Sequence, residues 1–171
     1  MELGESFLHG QRLDPDRYAL VPRTLTFLER GGQILLLRLA EDRGEWAGRY
    51  NGIGGHIERG EDPLSAARRE VAEESGLQAP GLKLCGVVAV DPGSRIGIGL
   101  YVFVGEPGPG SVRPSAEGTL EWASPDRMAA LPLVGDLPFL LPRALAAYRE
   151  GTTFSAAYQA TAEGTLEIVL G

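Results

Sequence analysis

Residues 62–76 carry the start and stop signals of a helix in their own sequence, and no other segment constrains the fold as tightly. Asp62 suits an N-cap, Pro63 the first helical turn, and Gly76 the left-handed position past the end. Between them Leu64, Ala67 and Val71 fall at i, i+3 and i+7, which predicts a helix over 63–75 with one narrow apolar stripe. Glu70, Glu73 and Glu74 sit at i, i+3 and i+4, so three carboxylates leave the same helix from nearly one side.

The chain around this helix reads mainly as strand. Thr24–Leu28 and Gln33–Leu39 are β-leaning runs, and Gly31-Gly32 between them predicts a tight hairpin with positive φ. Ile34-Leu35-Leu36-Leu37 is apolar on both alternating faces, as expected of a strand covered from two sides. Leu82–Val90 and Arg95–Val104 read as strands joined by an Asp91-Pro92-Gly93 turn. After a polar loop over 111–118, Thr119–Ala123 is a short strand, and Ser124-Pro125 opens a second helix ending near Leu131. A third helix is expected over Leu137–Arg149, with Asp136 at its cap, Gly151 past its end and a kink at Pro142. Thr152–Ala160 and Thr165–Leu170 read as a closing hairpin. Hairpin strands mixed with segregated helices favour a mixed sheet with helices on both sides.

A chain of 171 residues fits one domain, and at that length roughly 68–70% of the unfolded surface can be buried without a staple. Residues 1–22 lack sustained periodicity and are expected to form a surface extension, followed by the main domain over 23–150 and the hairpin over 151–171 packing on it. Sixteen basic against twenty-three acidic residues give 16 − 23 = −7, which argues against a nucleic-acid polymer as partner. The single cysteine, Cys85, excludes an internal disulfide framework and lies in an apolar strand, where an inert core role is expected. Apolar runs fall far short of the ~20 residues that cross a bilayer, and the first ten residues do not resemble a signal peptide. A cytoplasmic protein, with no membrane partner, is the expectation.

The carboxylates pose a physical conflict. Like charges four apart destabilise a helix by ~0.2–0.5 kcal/mol per pair, and these lie in the C-terminal half, where the helix dipole disfavours anions. A divalent cation reverses the sign: Mg²⁺ takes oxygen ligands, retains several waters and is commonly shared between carboxylates and substrate phosphates. Upstream, Asn51-Gly52-Ile53-Gly54-Gly55 is a glycine-rich turn that lets backbone approach a ligand closely. Glu61, eight positions before Arg69, is placed to fold back and tie that loop to the helix.

The segment from Gly55 to Leu77 resembles the Nudix box, G-x5-E-x7-R-E-U-x-E-E-x-G-U with U apolar, and matches every fixed position. The resemblance implies an α/β (α+β) fold, a Nudix-type α/β/α sandwich with a mixed β-sheet between helices. It further implies Glu70, Glu73, Glu74 and the Gly55 carbonyl as metal ligands for Mg²⁺, with Mn²⁺ as an alternative. Arg69 becomes the orienting partner, and Glu61 and Gly76 the structural positions of the box. The activity implied is hydrolysis of a diphosphate linkage by metal-activated water. Glu117, before the strand containing Trp122, resembles the loop glutamate that some mutator-type members use to bind another metal or act as base.

Outside the box, Gly48-Arg49-Tyr50-Asn51-Gly52-Ile53-Gly54-Gly55 is similar to the segment with which the oxidised-purine subfamily reads its base, making Asn51 a substrate-binding candidate. Leu131-Pro-Leu133-Val-Gly135-Asp136 is similar to the stretch that supplies base-contacting acids, so Asp136 is a second candidate besides its reading as a plain N-cap. Leu137 replaces a second acid there, and Val134 stands where an aromatic would stack. Phe154 and Tyr158 in the last hairpin also resemble that subfamily's ending, while Tyr50, Trp46 and Phe103 are candidates to stack on a base, with packing the leading expectation for each. The leading expectation is a pyrophosphohydrolase that converts a nucleoside triphosphate such as 8-oxo-dGTP to monophosphate and pyrophosphate. Alternatives are another nucleoside diphosphate derivative (ADP-ribose, a sugar nucleotide or a dinucleotide) and a noncatalytic nucleotide-sensing domain. The extension and the hairpin can each serve a homodimer or merely cap the sheet.

Overall fold

The computed structural model describes residues 16–161 and 166–170. The rest of the expected extension, residues 1–15, and Thr165 of the closing hairpin lie outside the described residues.

One mixed sheet organises the chain. Strand β1 (Ala19–Arg30) turns through Gly31 and Gly32, with φ of 58° and 76°, into β2 (Gln33–Leu39). Positive φ at both central residues matches the right-handed strand twist, so the hairpin closes without splaying. Beyond this turn the partners separate: β1 and β2 pair only over Leu28–Arg30 and Gln33–Leu35. From there β2 is flanked by β3 (Tyr50–Asn51) on one edge and β6 (Gly118–Ala123) on the other. On its other edge β1 runs parallel to β5 (Ile96–Gly105), which continues to β4 (Lys83–Asp91), β7 (Phe154–Ala160) and β8 (Leu166–Leu170).

The β1·β5 ladder begins at Ala19, so the last four residues of the expected extension belong to the sheet. Pro22 is tolerated there because its carbonyl faces away from β5 and accepts the Ile57 N–H at 3.1 Å. Its N–H is therefore missing on the side where β5 would not use it.

Two apolar clusters cover the two faces, as the doubly apolar β2 predicts. Ile34 and Leu36 join Leu25 and Phe27 beneath helix α3 (Leu137–Glu150), while Leu35 and Leu28 pack with Ala67, Val71 and Leu77 of and beside helix α1 (Pro63–Ser75). The order is helix, sheet, helix, as expected. The helix α1 boundaries follow their signals: Asp62 Oδ1 accepts the Leu64 and Ser65 N–H groups, and Gly76 closes the helix at φ 72°. Helix α2 (Pro125–Met128) is a single turn, and α3 runs through Pro142. Cys85 is buried in the α3-side core, and burial pushes its thiol up, as an inert core residue requires. No described helix is long and apolar enough to cross a membrane.

Candidate active site

The divergence of β1 from β2 leaves a wedge, and the glycine-rich segment fills it. Thr26 donates to Ile53 O at 2.6 Å and Thr24 to Gly55 O at 2.9 Å, so residues 53–56 run antiparallel along β1. The approach is too close for side chains: a Cβ on Gly54 would lie 2.1 Å from the Thr24 carbonyl oxygen. At Gly55 a Cβ would lie 2.2 Å from Glu70 Oε1, so that glycine marks where backbone meets the helix carboxylate.

Arg69 ties this loop to helix α1. Its Nε and Nη2 donate to the two oxygens of Glu61 at 2.9 and 3.0 Å, and Nη2 also reaches His56 O at 3.0 Å. Its Nη1 donates to Glu70 at 2.8 Å and Glu73 at 3.2 Å. The pairing of Glu61 with Arg69 is thus present in bidentate form, and these bonds hold the Glu61 carboxyl below its usual range.

The three helix carboxylates differ in environment. Glu70 is largely buried, Glu74 is 6% exposed, and the Glu73 side chain is 60% exposed and turned toward Arg69. Glu70 and Glu74, one turn apart, face the loop; Glu73 lies at the rim. Among the described residues, no three Asp, Glu, His or Cys side chains close into a cation cage. The arrangement is an open half-shell, with the Glu73 arm bound to Arg69.

Glu74 shows whether this half-shell suits a cation. Its Oε2 is buried without a hydrogen-bond partner, and burial, then the charges of Glu70 and Glu117, push its carboxyl up to about 8. An orphaned carboxylate oxygen facing two other carboxylates, with an oxygen-only donor set, fits a hard divalent ion. Gly55 O accepts one N–H from Thr24 and has a second lone pair.

Glu117 enters the site from the loop before β6. It is paired with Arg43, whose charge it stabilises, and both line one cleft of ≈ 460 Å³ together with Glu74, Asn51 and Asp136. Asn51 Oδ1 accepts the Gly52 N–H at 2.8 Å, which fixes the amide and leaves its NH₂ to donate. Asp136 precedes helix α3 but its side chain makes no cap bond; it turns to the cleft, and burial pushes its carboxyl up. That differs from the plain N-cap reading. Val134 also lines the cleft, while Tyr50 and Phe103 are buried in the core.

Trp46 departs from its expected packing role. It is 44% exposed and lines the cleft, because the 3₁₀ turn Gly44–Trp46 carries it over the opening. Arg23 and Arg43, which the sequence did not single out, also line the cleft; both precede the glycine-rich segment, in stretches without a motif to mark them.

Residues 20–143 match the NUDIX domain. The chain belongs to the Nudix family. An oxidized purine nucleoside triphosphate hydrolase of Danio rerio is 39% identical over 83 residues, 48% of this chain and 45% of that protein. The matched stretch thus spans about half of that relative. Among solved structures, the mutator MutT protein of Bacillus halodurans has a TM-score of 0.69 at 22% identity, covering 88% of this chain and 97% of that one. The NUDIX domain of Shewanella oneidensis NrtR, complexed with ADP ribose, has a TM-score of 0.67 at 15% identity, covering 85% and 99%. At these identities the structural likeness concerns the Nudix fold.

Glu74 is expected to make the stability of this Nudix domain depend on pH. Burial and the neighbouring carboxylates push its carboxyl up to about 8 from an ordinary 4.5, so between these values the folded state holds a proton that the unfolded state has released. Folding is favoured at the lower end of that window, and stability falls as pH rises through it. In EDTA the melting temperature is expected to fall from pH 5 to pH 8. A divalent cation held by Glu74 would select the ionised form and flatten that slope. Differential scanning fluorimetry across this range checks it, and a flat profile in EDTA contradicts it.

Proposed function

We propose that this chain is a magnesium-dependent pyrophosphohydrolase acting on a nucleoside triphosphate, with an oxidised purine nucleotide such as 8-oxo-dGTP as the favoured substrate. The observation that carries the reading is a single cleft whose lining includes both the Glu74–Glu117 carboxylates and the Asn51–Asp136 pair. Such a cleft has one region suited to phosphates and another suited to a base.

Glu70, Glu73, Glu74 and the Gly55 carbonyl would hold the metal, which when bound lowers the pKa of water and neutralises charge on the diphosphate. The protein's own groups do the rest. Arg69 fixes the orientation of Glu70 and Glu73. Arg23 and Arg43 present positive charge to phosphates entering a cleft that is otherwise acidic. Glu117, held by Arg43, is placed to accept the proton of attacking water once phosphate draws Arg43 away. Asn51 donates and Asp136 offers a carboxyl to a base edge, with Trp46 at the opening as a stacking surface.

A second substrate class has specific support. Val134 and Leu137 stand where the oxidised-purine subfamily has an aromatic and an acid, and a structural neighbour was solved with ADP ribose. A panel of dGTP, dATP, dCTP, 8-oxo-dGTP, ADP-ribose and a dinucleotide, run with magnesium in ¹⁸O water, separates the readings. The expected result is fastest turnover of a purine triphosphate, with monophosphate and pyrophosphate as products and ¹⁸O in one of them. Turnover of ADP-ribose alone overturns the triphosphate assignment, and no turnover at all favours a sensing domain.

A further inference from the structure

A second pocket, which shares Trp46, Asn51, Gly54 and Asp136 with the cleft, holds a polar group that the hydrolytic reading does not use. Tyr158, on β7, is 1% exposed, and its hydroxyl has no hydrogen-bond partner. An unpaired buried hydroxyl destabilises a fold, and phenylalanine of the same shape would avoid that cost. The ring is held in place: it meets Phe139 edge-on, with centroids 6.3 Å apart and planes at 74°. In the parallel pairing of β7 with β4, Tyr158 lies opposite Val90, and both line this adjoining pocket with Thr24 and with Asn51 and Asp136, which it shares with the cleft. The Thr24 hydroxyl in that lining is also buried without a partner. Burial, then the facing Asp136 carboxylate, push the Tyr158 phenol up, so it keeps a proton to donate.

We propose that the Tyr158 hydroxyl reads the nucleobase, hydrogen-bonding a polar edge atom of a purine seated against Asn51 and Asp136. The proposal rests on the cleft being a nucleotide site and names a specificity residue beside it. A phenol oxygen both donates and accepts, so it matches an exocyclic oxo or amino group. In a dry pocket a group left unmatched discriminates strongly against the wrong ligand.

Tyr158→Phe removes one oxygen and keeps the contact with Phe139. The experiment titrates dGMP, 8-oxo-dGMP, dAMP and dCMP into wild type and variant in magnesium buffer by calorimetry, with the melting temperature of each protein. Wild type is expected to bind a purine monophosphate about 10-fold or more tighter than dCMP, and the variant to lose most of that preference. The variant's melting temperature is expected to equal or exceed that of wild type. Unchanged binding of all four by the variant overturns the proposal, as does a wild type without purine preference. A lower melting temperature with uniformly weaker binding also overturns it, assigning the hydroxyl to packing. Because binding is read without turnover, the two readings fail separately. A chain that hydrolyses only ADP-ribose but loses purine preference in Tyr158→Phe overturns the triphosphate assignment and supports this one; purine triphosphate hydrolysis with an unaltered variant does the reverse.

Discussion

Glu74→Gln is expected to lower turnover by about 10³-fold or more and, in the same variant, to raise the melting temperature of the metal-free protein. The two effects have one cause. Glu74 is buried, its Oε2 has no partner, and Glu70 and Glu117 repel its charge. Without metal, ionising it costs stability that glutamine does not. On the proposed reading, with metal and phosphate the same charge would serve as a ligand that glutamine replaces poorly. The gain in EDTA is expected to be large at pH 9, where the wild-type carboxyl is ionised, and small at pH 6, where it already carries a proton. Kinetics with magnesium and melting curves in EDTA at both pH values check this. Loss of activity with a lower melting temperature at pH 9 would mean that Glu74 contributes packing rather than a strained charge.

The parts of this site that were legible in the sequence are those whose causes are local. Asp62, Pro63 and Gly76 act within one helical turn of themselves, and the helix α1 ends fall where they were expected. Ile34, Leu35 and Leu36 encode both faces of β2 by alternation alone, and their division between two cores follows. Glu61 and Arg69 were eight residues apart and of opposite charge, and their pairing needed only a loop that folds back. What was hidden depends on distant segments. Ala19–Pro22 join the sheet because β5, more than seventy residues away, runs parallel beside them. A parallel partner leaves no turn in the sequence, and Pro22 reads as a strand breaker until its free edge is known. Asp136 has the composition of a cap, and only the packing of α3 against the sheet turns its carboxyl to the cleft. Trp46 read as packing because aromatic residues usually are; the 3₁₀ turn that exposes it is three residues long and has no periodicity to detect.

Arg69→Lys preserves the charge and is still expected to lower kcat/KM by about 10- to 100-fold, with the magnesium concentration for half-maximal activity raised by a similar factor. The guanidinium serves Glu61, Glu70, Glu73 and His56 O at once, through three nitrogens in one plane. An ammonium offers three donors around one nitrogen and cannot span two carboxylates on one side and a carbonyl on the other. Glu70 and Glu73 then lose the partner that fixes their direction, and Glu61 loses its bidentate grip on the helix. The melting temperature is expected to drop by about 3 °C or more, a modest change because the cluster is partly solvated. Since Arg69 acts through its partners, Glu61→Gln is expected to reproduce part of the magnesium shift, and the double variant to be little worse than Arg69→Lys alone. Additive losses in that cycle would show that Glu61 and Arg69 support the site independently. A fall in kcat/KM with the magnesium dependence unmoved would place Arg69 on the substrate rather than behind the ligands.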